Sequence, residues 1–127
     1  MHADQNRGRF PTGDNEAGLQ ELVTANLLTS MKIYTCPGGR TQPSTDKTLE
    51  AKELDYCYKG SLTMRDVGAE TGFVCDQKGA KTANHKKYGN VLFGAGHVDG
   101  FFSANWSTLN NSHNVPGGSW PPDPQDN

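Results

Sequence analysis

His97 and Asp99, two residues apart, are the side chains best spaced to act together. On an extended segment that spacing puts both on one face, with His85 within reach from the preceding loop. Imidazole and carboxylate are metal ligands, and a hydrogen bond between them fixes the imidazole tautomer. Two ligands fall short of a metal set, so the plainer expectation is that His97 packs or hydrogen-bonds within the fold. Cys36, Cys57 and Cys75 make an odd count, and none of their spacings is the Cys-x2–4-Cys of a zinc site. In an oxidising compartment one pair bridges and one thiol is left over, with spacing unable to choose among three pairs. The alternative is three small, partly buried thiols. Cys36 precedes Pro37-Gly38-Gly39 without a recognisable His partner, and no Gly-x-Ser-x-Gly elbow occurs. Gly94-Ala95-Gly96 opens no helix and therefore cradles no phosphate. No catalytic set and no cofactor motif emerge, and a non-enzymatic role is expected.

The elements that must carry these residues are short. Asp14 and Asn15 offer helix N-caps, Glu16 suits the positive end of a helix, and Leu19, Leu22, Val23, Leu27 and Leu28 recur at helical spacing. Met31 to Tyr34 reads as an extended run stopped by Pro37-Gly38-Gly39, and Arg40 to Lys52 as a polar loop with a helical turn near Leu49. Leu54 to Tyr58 alternates as a strand, with Leu54, Tyr56 and Tyr58 on one face and Asp55 and Cys57 on the other. Phe73-Val74-Cys75 is a second strand. The polar segment from Asp76 to Lys87, which includes Lys78, Lys81, Lys86 and Lys87, is expected to be a solvated loop. Tyr88 to Phe102 then reads as a hairpin: Val91, Leu92 and Phe93 favour a strand, Gly94-Ala95-Gly96 a turn with positive φ, and His97 to Phe102 a returning strand.

In their order along the chain, three blocks resemble the bacterial pilin-like proteins that end in a His, nine residues and Asp-Gly. His85 is followed by nine residues and then by Ala95-Gly96, with Ala in place of the Asp. Ala3 to Pro11 is similar to the segment where the long N-terminal pilin helix ends. Gly18 to Val23, Leu27-Leu28 and Met31 to Pro37 resemble the following short helix and a strand ending in Cys-Pro. The resemblance implies an α+β fold in which the end of a long helix and a short helix pack on a small antiparallel sheet closed by the C-terminal hairpin. It implies structural roles for His85, Gly94, Ala95, Gly96 and His97, and no cofactor. The function it implies is that of an assembly subunit, in a type IV pilus-like filament or the pseudopilus of a type II secretion system. Its partners would be other pilin-like subunits and the secretion machinery. The setting would be the periplasmic or extracellular side of the cell envelope, with an upstream leader cleaved by a prepilin peptidase and an apolar helix as membrane anchor. Residues 1–106 would be the globular domain without that helix.

Composition narrows the alternatives. The chain has 127 residues and a net charge of -2 from 12 basic and 14 acidic residues, which is too balanced for a nucleic-acid footprint. One domain is expected, with a modest core, because only 33% of residues are hydrophobic while Gly and Pro number 15 and 7. No signal peptide or membrane-length apolar run is evident. Residues 107–127 read as a tail rich in Gly, Pro and Asn, in which Trp120, flanked by Pro121-Pro122, is expected to stay near the surface. Trp106 and Trp120, with Phe101 and Phe102, give the alternative function, an extracellular module binding glycan or peptide on an aromatic platform. No large apolar patch is apparent, so a monomer or weak dimer is expected.

Overall fold

The computed structural model describes residues 8–79, 82–103, 105–108 and 113–125. Among the described residues it is a small α+β fold, with an α-helix, α1 (Asn15–Thr24), and a four-stranded antiparallel sheet. The strands are β1 (Tyr56–Tyr58), β2 (Gly72–Asp76), β3 (Tyr88–Phe93) and β4 (Val98–Phe102), in the order β1-β2-β3-β4. The expected helix end over Met1–Arg9 lies outside the described residues as far as Arg7; Arg9 bridges to Thr63.

Each face of the sheet has its own core. Alternation along β1 sends Tyr58 to the front, where it packs with Leu54, Leu19, Val23, Met31, Tyr34 and Leu49. Cys57 goes to the back, with Cys75, Val91 and Phe93, and the back is covered by Trp106, Val115 and Trp120. In β2 the register shifts between Gly72 and Val74, and the bulge lets the consecutive residues Phe73 and Val74 both pack towards the front.

The hairpin forms as the turn glycines require. Phe93 N–H donates to His97 O and Gly96 N–H to Phe93 O, closing a three-residue loop with Gly96 at φ 96. Gly94 serves a different need: a Cβ there would lie 2.0 Å from Gly68 O.

Four local expectations are corrected. Met31–Tyr34 is a 3-10 turn and not an extended run; Tyr34 OH donates to Leu28 O at 2.8 Å and ties it to the end of the helical region. Asp14 does not cap α1 with its side chain, which accepts instead from Gly60 N–H. The segment from Asp76 is no solvated loop at its start, because Asp76 and Gln77 are buried and Lys78 pairs with Asp123; Lys86 and Lys87 are exposed, and Lys81 lies outside the described residues. Trp120 is buried in the back core at 9% exposure, because the C-terminal segment folds back over the sheet.

Asn15 joins three of these parts. At φ 52 it directs its side chain so that Oδ1 accepts from Tyr58 N–H and Nδ2 donates to Pro122 O. It thereby covers the outer edge of β1 and fastens the C-terminal segment to the start of α1.

Candidate functional site

The front core is incompletely roofed. α1 covers Tyr58, but beyond it a groove of about 390 Å³ lies open along the sheet. Tyr56, Val74 and Leu92 form its floor, Leu22, Leu27, Leu28 and Ile33 one wall, and Phe10 and Pro11 its rim. Ile33 is 44% exposed and Leu28 40%, so the wall presents apolar surface to water. A neighbouring depression extends the floor to Val98, which is 59% exposed. Composition did not signal this apolar surface, which is a groove and not a large patch. Its cause is the 3-10 turn, which carries Ile33 outward while Met31 and Tyr34 point into the core. The lining is mostly apolar; burial pushes the Tyr56 hydroxyl up to about 12, reinforced by nearby Cys36, Asp76 and Asp55, and holds it neutral, a hydrogen-bonding group and not a charge.

The residues singled out for chemistry fall in separate places. His97 Nε2 lies 3.7 Å from Asp99 and 4.0 Å from Glu70, and the ring stacks on Phe93 at 4.9 Å. His85 stands at the other end of β3, stacked on Tyr88 at 4.2 Å, so the two histidines share no site. Among the described residues no group of three or more His, Cys, Asp and Glu is arranged to hold a metal ion. Ala95 is exposed at the hairpin tip. Trp106, 2% exposed, and Trp120 present no platform, since both rings belong to the back core.

Two polar clusters escaped sequence reasoning. Cys36 does have a histidine neighbour: its Sγ lies 3.9 Å from His85 Nε2, and the same nitrogen lies 3.9 Å from Asp76 Oδ2. One nitrogen facing both partners is not a relay, which needs the two ring nitrogens to face base and nucleophile separately. Asp76 is held by Asn84 and by both the backbone and side chain of Asn90. The second cluster surrounds Asp123, which accepts from Lys78 N–H, Gly79 N–H, Thr82 Oγ1, Lys78 Nζ at 2.8 Å and Cys57 Sγ at 2.9 Å. Burial alone would raise this carboxyl, yet the donors from Cys57, Lys78, Thr82 and Gly79 draw it down to about 2. Pairs separated by 49 and 66 residues leave no spacing signal, and only the odd cysteine count hinted at either cluster.

The chain matches no protein-family profile, and no curated protein or solved structure is significantly similar to it.

Proposed function

We propose that this chain is the globular part of a pilin-like assembly subunit, of a filament or of a secretion pseudopilus, and that it works outside the cytoplasm. The observation that carries the reading is the open apolar groove on the front of the sheet. An amphipathic helix is the occupant that suits it: a stripe of apolar side chains at helical spacing would bury against Val74, Leu92 and Ile33. Phe10 and Pro11 at the rim bring the chain past the groove, so a helix preceding Gly8 would reach it without a long connection. The three blocks of residues similar to pilin-like proteins, the His85 to Gly96 spacing among them, support the same reading.

Photo-crosslinking from position 33 in a bacterium making the chain tests it. The expected products are pilin-like subunits, or a helical segment of the same polypeptide, captured through the groove. Equal capture from position 94 at the hairpin turn, or recovery of neither product, removes the assembly reading.

One observation favours a second reading. Phe102 is 84% exposed, its ring 5.7 Å from Tyr88, which in turn stacks on His85. This surface row could seat a sugar or peptide. Glycan-array binding that disappears in Phe102→Ala would favour the module over the assembly subunit.

A further inference from the structure

We propose that Cys57 and Cys75 form a two-electron redox site that closes to a cross-strand disulfide beneath the C-terminal segment. The two residues are direct partners in the β1–β2 pairing, so their side chains leave the same face. Lys59 N–H to Phe73 O and Gln77 N–H to Asp55 O flank them at two residues on either side. That alternation makes Cys57 and Cys75 a hydrogen-bonded pair, with Cα atoms about 5.5 Å apart, inside the range of about 4.4–6.8 Å that a disulfide spans. Cys36, the third thiol, faces His85 instead.

The surroundings distinguish the two sulfurs. Cys57 has Lys78 Nζ at 3.4 Å and donates its S–H to Asp123 Oδ1. The ammonium is placed to stabilise the negative charge that this sulfur carries during thiol–disulfide exchange. Burial pushes the Cys75 thiol up, and the neighbouring Cys57 adds to this. Cys57 is therefore the attacking sulfur and Cys75 the resolving one.

The oxidant is a small or protein-borne disulfide. The Cys57 thiolate attacks one of its sulfurs, forming a mixed disulfide and releasing one thiolate, which is protonated. Cys75, on losing its proton, attacks the Cys57 sulfur and releases the second oxidant thiol. Two protein thiols are thus oxidised to one disulfide, and one disulfide is reduced to two thiols.

Access to the site is controlled by the C-terminal segment. Cys57 is fully buried, and Asp123 together with Lys78 Nζ to Pro121 O holds that segment over it. Bridging removes the S–H that Asp123 accepts, so closure also removes one fastening of the cover.

Refolding the full chain in a mixture of oxidised and reduced glutathione, alkylating it under denaturing conditions and mapping the peptides tests the site. The expected product has Cys57 linked to Cys75 and only Cys36 alkylated, and Cys36→Ser forms the same bridge. Three alkylated cysteines, a bridge to Cys36 or a persistent glutathione adduct on Cys57 overturns the proposal. For the cover, oxidised glutathione added to the folded, reduced protein should bridge Asp123→Asn at least tenfold faster than the parent chain. Lys78→Met, which also loses the bond to Pro121 but deprives Cys57 of its ammonium, should gain less. Equal rates in Asp123→Asn and the parent overturn the covering role and leave the bridge to be decided by the refolding result.

Discussion

Glycines of this chain are constrained for two separable reasons, and substitution can tell them apart. At Gly96 a Cβ would meet nothing within 4 Å, but φ is 96, so the cost of Gly96→Val is purely conformational and on the order of 1 kcal/mol or more. At Gly89 the constraint is contact: a Cβ would sit 2.1 Å from the Trp106 ring. Gly89→Ala should therefore destabilise by about 2 kcal/mol or more, since neither ring nor sheet can move aside cheaply. Gly38 has neither restriction, and Gly38→Ala should leave stability level or slightly raised. Thermal melts of the three variants check the order; an unchanged midpoint for Gly96→Val would mean that the turn relaxes into an ordinary conformation. The turn glycines were legible from sequence because their neighbours Val91, Leu92 and Phe93 announce a strand. Gly89 was not, because its need arises from Trp106, which arrives later in the chain from a different element.

At the scale of elements, what sequence disclosed and what it hid follow from the range of the interactions. The stripe of α1 and the alternation of β1 are local, and both were legible in part: Leu19, Leu22 and Val23 lie on the helix, which ends at Thr24 before Leu27 and Leu28, and the strand starts only at Tyr56, with Leu54 and Tyr58 in front and Cys57 behind. The fastening of the C-terminal segment is not local. Nothing in its Pro- and Gly-rich composition signals that Asp123 will collect donors from Lys78, Gly79, Thr82 and Cys57. This fastening makes stability depend on acid. The folded carboxyl titrates at about 2, below the ordinary value of about 3.9 for an unfolded aspartate. Its contribution is fully present above about pH 4 and is lost as pH falls towards 2, on the order of 2 kcal/mol in all. Denaturant unfolding at steps between pH 5 and pH 2 should show this loss in the parent chain and a flatter profile in Asp123→Asn, which is already weakened at neutral pH. Parallel profiles would assign the acid sensitivity to other carboxylates.

For the molecule as a whole, the asymmetry of the two faces decides how it associates. The back of the sheet is closed by the chain's own Trp106, Val115 and Trp120, whereas the front keeps Val74, Leu92 and Ile33 accessible in the groove. Apolar surface of that kind draws a partner, yet a groove of about 390 Å³ seats only a few side chains. Its contact falls well short of the roughly 800 Å² per partner that a stable interface buries. Two copies meeting through the grooves would thus hold weakly, whereas the tethered helix of the proposed function would gain from high effective concentration. The expected behaviour of the chain is a monomer, or a weak dimer at high concentration, by light scattering. Ile33→Asp should shift any dimer to monomer, since it places a charge on the apolar wall. Its melting midpoint should stay near that of the parent, because Ile33 is already substantially exposed. A stable oligomer that survives Ile33→Asp would mean that another surface, such as the open edge of β4, carries assembly.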